Sequence, residues 1–373
     1  MTALAATTGD MTEQSKTSLD RSSSRRNHAV DRERRVATTV PADFPALRGL
    51  DWSASGVHVV DRRCFSRVGL LRRLREDAST HDAVLLNGSG RPDQLAAILL
   101  GRLRRVGPIV ISDCTWQRGT WWLDRLTGRI GIRAIDAGRP IYCVLSSDEV
   151  ELFPRTWGVD PSRVVFTPFC YTLTEEELAA PTSTCGGVFS GGDSMRDLRP
   201  LLAAARKVRV DVTLAVQRLP AGAGALPANV SVRAVPHAKF IELMRHARIV
   251  VVPLRAGIER SAGQQTYLNA MALGKVVITT DSPGTRDYIE HGSTGLIVPA
   301  GDEDSLASTL RWALDPSNEA EVARIAARAR AVARTLFRPV DHFGSVLEVV
   351  DRAVAAAASS DPDPRRATRT KSR

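Results

Sequence analysis

Short, continuous apolar runs alternate along the chain with stretches of helical spacing. DAVLL (82–86), PIVIS (108–112) and PIYCVLS (140–146) have the unbroken apolar character of strands buried on both faces. DQLAAILLGRLRR (93–105) and the stretch from Trp121 to Ile135 lie between them and repeat apolar residues at helical intervals. Strand, helix and strand in repetition predict a parallel sheet covered on both faces. The pattern then restarts. GVFSGG (187–192), RVDVTLAV (209–216), RIVVVPL (248–254), KVVITT (275–280) and TGLIVP (294–299) supply a second set of strands. Helices around 196–206, 238–247, 264–273 and 303–314 separate them, and helical segments at 318–335 and 341–356 follow. The expectation is an α/β protein with two doubly wound domains facing each other across a cleft, where strand carboxyl ends meet. Residues 1–40, rich in Ser, Thr and Arg without apolar periodicity, predict a disordered tail, and residues 358–373 a second one. Between them the pattern places a first domain at 41–172 and a linker at 173–184. A second domain at 185–335 and a helical segment at 336–357, packing near the domain junction, complete the chain.

Composition agrees with this and removes several classes. The length of 373 residues suits two domains at ~100–200 residues each. No apolar run reaches the ~18 residues of a membrane-spanning helix. The first thirty residues are polar and lack the apolar stretch of a signal peptide, so a cytoplasmic protein is expected. Cys64, Cys114, Cys143, Cys170 and Cys185 form no C-x-x-C pair and have no His or Asp cluster at ligand spacing beside them. Reduced thiols are expected, and no metal.

The net charge of +10 is carried almost entirely by Arg, and residues 62–139 hold fifteen Arg against seven acids, a local excess of +8. No nucleic-acid motif accompanies it, so an acidic substrate or an anionic membrane surface explains the patch better than nucleic acid. Trp116, Trp121 and Trp122 are interleaved with Arg118, Arg125, Arg129 and Arg133, a mixture that reads as a core-packed helix with solvated Arg more readily than as an interfacial anchor.

Candidate chemistry sits at strand ends. A strand ending at Pro253 runs into a loop with Gly257 and Gly263, and then into a helix. That geometry aims free backbone N–H groups and the helix dipole at the cleft, which suits a phosphate. In the first domain, Gly88, Ser89 and Gly90 follow one strand, and Asp113, Thr115 and Trp116 follow the next. Asp113 is the carboxylate best placed to orient an acceptor hydroxyl or act as general base; a helix N-cap is its plainer role.

The quoted stretches NAMALGKVVITTDSPGTRDYI (269–289) and HGSTGLIVPAGDEDSLA (291–307) resemble, in order and spacing, the donor-binding half of the family-4 glycosyltransferases of the GT-B fold. SSDEVELFPRTWGVDPSRVVFTPFCYTL (146–173) and FSGGDSMRD (189–197) resemble the end of that family's first domain and the opening of its second. The resemblance implies two Rossmann-like domains, the first binding an acceptor and the second a nucleotide sugar. It also implies a pair of Glu residues near sugar and ribose, and their positions here are Ser261 and Asn269. Glu259 is a substitute only if the loop is rearranged. Ala262, Gly263, Gln264, Gln265 and Thr266 would meet sugar and diphosphate. Gly191, Gly192, Ser194 and Arg196 would form the diphosphate loop, with Arg196 as clamp or else turned to solvent. Val235 and His237 fall where the nucleobase stacks, and Lys275 supports packing.

Catalysis is then expected from Asp113, Arg196 and Gln264. The resemblance implies transfer of a hexose from a nucleoside-diphosphate sugar to an acceptor hydroxyl, with retention, without metal and without a cofactor beyond the donor. A small molecule, glycan or lipid would be the acceptor, and a peripheral position at the inner membrane face is the less favoured location. The alternative is a degenerate relative that binds without catalysing, motivated by the loss of both Glu.

Overall fold

The computed structural model describes residues 34–41, 51–52, 55–60, 66–88, 91–103, 106–118, 122–219 and 225–360. Its first sheet comprises β1 (Val36–Thr38), β2 (Val57–Val59), β3 (Ala83–Asn87), β4 (Ile109–Ser112), β5 (Ile141–Val144) and β6 (Val164–Phe166). All are parallel, in the order β2-β1-β3-β4-β5-β6. The second comprises β7 (Val188–Gly191), β8 (Val212–Ala215), β9 (Val230–Val232), β10 (Ile249–Val252), β11 (Val276–Thr280) and β12 (Leu296–Val298). These too are parallel, in the order β12-β11-β10-β7-β8-β9. β10 shows why the strands are legible: Ile-Val-Val-Val is β-branched throughout and buried throughout, which suits a central strand. Two parallel sheets with flanking helices bear out the α/β expectation.

Helices α1 (Arg67–Ala78), α2 (Arg91–Leu100), α3 (Trp122–Asp136) and α4 (Ser147–Trp157) accompany the first sheet. α5 (Glu175–Ala179) lies in the expected linker, closed by a capping box between Thr174 and Glu177. α6 (Arg199–Val208), α7 (His237–His246), α8 (Gln264–Ala272), α9 (Thr285–Tyr288), α10 (Glu303–Leu314) and α11 (Glu319–Leu336) accompany the second sheet. α12 (Pro339–Ser360) follows them.

Two expectations need correction. The tail does not extend to residue 40: Val36, Ala37 and Thr38 form an inner strand, each 0% exposed, between β2 and β3. Three residues are too few to show a period, and their identity as strand comes from pairing on both sides. Residues 1–33 and 361–373 lie outside the described residues, while the expected second tail begins inside α12. The C-terminal segment also does more than approach the junction. α12 returns to the first sheet, where Phe343, Val346, Val349 and Val350 pack with Val36, Ala83, Leu85 and Val110. α1, α2 and α3 cover a separate core of that domain through Leu70, Leu74, Ala97, Leu100 and Ile135, leaving Val68, Leu95, Leu99 and Ile130 exposed. Among the described residues no helix is long and apolar enough to cross a membrane.

The second sheet's strand order fixes where a ligand can bind. From β7 the chain moves outward to β8 and β9, then returns to β10 on the other side of β7. The loops leaving β7 and β10 therefore diverge and open a crevice at the strand carboxyl ends.

Candidate functional site

The loop after β7 is built around Arg196. Gly191 is required there, because a Cβ at this position would stand 2.3 Å from the Phe240 ring; Gly192 takes φ 87° and Met195 φ 59°. These turns fold the chain around the Arg196 guanidinium. Its Nε donates to the Gly191 carbonyl at 3.1 Å, Nη1 to the Ser194 carbonyl at 2.9 Å and Nη2 to Thr266 Oγ1 at 3.0 Å. Burial pushes its pKa down to about 10, so it stays charged near neutrality. Arg196 thus neither points to solvent nor hangs free in the crevice. It ties the β7 loop to α8 and brings positive charge to the helix N-terminus.

That N-terminus carries unmet donors. Gly263 takes φ 87° as the N-cap of α8, and no side chain caps the helix. Gln264 is 6% exposed, and its Nε2 is buried without a partner. Arg260 donates through Nη1 to the Ser261 carbonyl and through Nη2 to Ser194 Oγ, while its buried Nε also lacks a partner. An unmet buried donor costs about 1–3 kcal/mol. Two of them beside an uncapped helix end and Arg196 make a cradle for an anion. Thr266, expected to meet sugar and diphosphate, here accepts from Arg196. Sequence reasoning missed Arg260; its only signal was its place beside Ser261.

The neighbouring positions differ from expectation. Asn269 is 1% exposed and faces the end of the first domain: its Oδ1 accepts from Thr172 N at 2.7 Å and its Nδ2 donates to Thr172 Oγ1 at 3.1 Å. Both ends of its side-chain amide are engaged by Thr172, and Glu cannot both accept and donate there in its charged form. Gln265 is exposed and donates to the same Thr172 hydroxyl at 3.0 Å. Val235 is partly buried beside the core, and His237 is exposed with Nε2 3.8 Å from Glu177. Glu259 pairs across the cleft with Arg118 at 3.7 Å. Lys275 is 1% exposed and donates to the Ser183 carbonyl; burial pushes it down to about 8, consistent with packing. Asp302 caps α10, accepting from the backbone of Asp304 and Ser305, and Asp304 pairs with Lys207.

On the first domain's side, two expected acceptor contacts are structural. Trp116 is buried, its Nε1 donates to the Gly88 carbonyl at 2.5 Å, and its ring packs on Tyr142, Phe153 and Trp157. Gly88 is needed for close backbone packing, since its Cβ would stand 2.4 Å from the Ser112 carbonyl. Thr115 donates its backbone N–H to the Asp113 carbonyl at 2.7 Å. Ser89, Gly90 and Trp121 lie outside the described residues.

Asp113 stands at the end of β4 with φ 51° and has a partner that the sequence did not suggest. His342 of α12 places Nε2 3.3 Å from Asp113 Oδ1, while its Nδ1 donates to the Pro168 carbonyl at 2.7 Å. A carbonyl only accepts, so the Nδ1 proton is fixed. Burial opposes charge on His342, but Asp113 and Pro168 outweigh it and its pKa is raised.

The two domains meet through the N-terminal turn of α4. Ser147 donates from N and Oγ to Asp287 at 2.8 and 2.6 Å, and Gly284 N donates to Asp148 at 2.8 Å. Tyr288 donates to the Leu145 carbonyl at 2.5 Å, and Glu149 accepts from Ser261 Oγ at 2.6 Å. Burial raises the pKa of both Glu149 and Asp287.

Residues 195–315 match the family described as Glycosyl transferases group 1. The match opens at the Arg196 loop and includes Arg260, α8 and the Gly284 turn. Among curated proteins, none matches the chain by sequence. Several solved structures are similar. HepE of Anabaena in complex with UDP is 16% identical with a TM-score of 0.58, over 81% of this chain and 88% of that one. Sucrose-phosphate synthase from Thermosynechococcus elongatus is 16% identical with a TM-score of 0.58, over 88% of this chain and 100% of that one. A glycosyltransferase from Rickettsia africae is 12% identical with a TM-score of 0.58, over 86% and 98%. At these identities the likeness establishes the fold, which is the GT-B arrangement of two α/β domains.

Proposed function

We propose that the protein is a glycosyltransferase that moves a hexose from a nucleoside-diphosphate sugar to an acceptor hydroxyl, with retention and without a metal. The observation that carries this reading is the uncapped α8 N-terminus, with the unmet donors of Gln264 and Arg260 beside the charged Arg196. A departing diphosphate gains charge as the bond to the sugar breaks. Donors already aimed at that position stabilise it without reorganising. The acceptor hydroxyl attacks on the same face, and Asp113 orients it from across the cleft. HepE was crystallised with UDP, with UDP-glucose, and with UDP and glucose, which supports a nucleotide sugar as donor here.

Calorimetry with nucleoside diphosphates tests the cradle. Arg260→Ala is expected to weaken binding by about 1.5–3 kcal/mol, the range for a hydrogen bond to a charged group. Unchanged affinity in a folded variant removes Arg260 from the site. Incubation with a panel of nucleotide sugars then separates catalysis from binding: turnover supports the enzyme, and tight binding without release of nucleoside diphosphate supports the degenerate relative.

A lipid acceptor presented at an anionic surface is the second reading. It is favoured by Val68, Leu95, Leu99 and Ile130, which are 77%, 49%, 45% and 58% exposed on helices α1 to α3 of the Arg-rich region. Salt-sensitive sedimentation with anionic vesicles is its expected result; none at low salt leaves the soluble acceptor.

A further inference from the structure

Glu149 occupies the third position of α4, after the N-cap Ser146, in the sequence Ser-x-x-Glu. The same local pattern recurs as Thr-x-x-Glu at 174–177. There Glu177 returns to the N-cap, accepting from Thr174 N at 2.9 Å while Thr174 Oγ1 accepts from Glu177 N at 3.1 Å. Glu149 departs from this pattern. Ser146 Oγ still accepts from Glu149 N at 3.2 Å, but the carboxylate leaves its own helix and accepts from Ser261 Oγ at 2.6 Å, 112 residues away in the other domain. Ser146 Oγ also donates to the same oxygen at 3.1 Å.

A carboxylate 2% exposed is costly to bury, and burial holds its pKa above the usual range against the bonds from Ser261 and Ser146. Its return on that cost is local order in the donor loop. Ser261 lies between Arg260, which carries one unmet donor, and Ala262-Gly263-Gln264, which carry the uncapped helix end and the other. The Ser261 carbonyl holds Arg260 Nη1, so fixing Ser261 fixes both flanks of the cradle.

We propose that Glu149 is a positioning residue for the donor loop: acting through Ser261, it sets the direction of the donors at 260–264, so the diphosphate site is complete only when the two domains meet. This rests on the nucleotide-sugar reading above.

A double-mutant cycle on nucleoside diphosphate affinity tests it, with Glu149→Ala, Ser261→Ala and the pair. Each single variant is expected to weaken binding about tenfold, and the pair by no more than either alone, because both remove one shared interaction. Glu149→Gln keeps the shape and an acceptor for Ser261, and is expected to bind within about threefold of the wild type. Weakening of about a hundredfold in the pair, the product of the singles, would overturn the proposal, as would Glu149→Gln binding as poorly as Glu149→Ala. A merely structural Glu149 would lower the unfolding temperature without this non-additivity in binding. Failure of the nucleotide-sugar reading shows separately, as absence of nucleoside diphosphate binding by the wild type.

Discussion

His342→Ala is expected to lower stability by about 3–5 kcal/mol at mildly acidic pH, because it leaves the Asp113 carboxylate facing a buried, uncompensated space. Asp113 is 20% exposed at its side chain and His342 only 2%, so the lower part of that range is the better expectation. The sign with pH follows from the raised pKa of the imidazole. The folded protein holds the His342 proton more tightly than the unfolded chain does. The pair's contribution is therefore complete below the ordinary imidazole value and fades as pH rises through the raised one. Cys114, Cys143 and Cys170 also surround Asp113, but burial raises all three, Cys143 to about 12, so they stay neutral across this window. Urea unfolding of wild type and variant at several pH values measures the gap. It should be widest in acid and narrow in mild alkali; a gap independent of pH would show that charge on His342 contributes nothing. A loss of stability with little loss of diphosphate affinity is expected too, since this pair belongs to the first domain.

Gly284→Ala is expected to show the opposite balance, with transfer damaged far more than folding. Gly284 takes φ 78°, and a Cβ there would stand 2.4 Å from Ser146 Cβ and 3.1 Å from Ser261 Cβ. The left-handed backbone alone costs a non-glycine residue about 1–2 kcal/mol. The clash is relieved only by moving the Gly284 turn away from α4, which breaks the bond from Gly284 N to Asp148 and disturbs Ser261. A displacement of an ångström at a reacting geometry can cost about a hundredfold in rate. The expected result is therefore turnover of nucleotide sugar reduced at least about a hundredfold in a protein that still folds. Gly158→Ala, at the far end of α4, is the control, since Gly158 has φ 73° but nothing near its Cβ. It should show the backbone cost without the loss of rate. Equal rates in the two variants would mean that the junction does not govern the reaction.

The resemblance to family-4 glycosyltransferases pointed to the right fold, and several residues it singled out have partners within the chain. Arg196, expected as a clamp, ties the β7 loop to α8, and the unmet donors beside it belong to Arg260 and Gln264. Ser261 and Asn269 were read as weakened ligands of sugar and ribose. In the fold each is spent on a neighbour from elsewhere in the chain, Glu149 and Thr172.

Strands such as β10 were legible because a strand buried on both faces is apolar along its length, whatever its partners. The glycine loop before α8 was legible for a similar reason: a helix end at a strand terminus exposes its N–H groups by its own geometry. β1 was not legible, since three residues acquire strand character only by pairing with β2 and β3. The hydrogen bond from Ser261 to Glu149 and the pairing of His342 with Asp113 likewise join positions whose spacing in sequence carries no period. Local sequence fixes backbone conformation and burial through interactions a few residues apart. Which side chains meet across the cleft is decided by how the two sheets dock and where α12 returns, and only the folded chain supplies that.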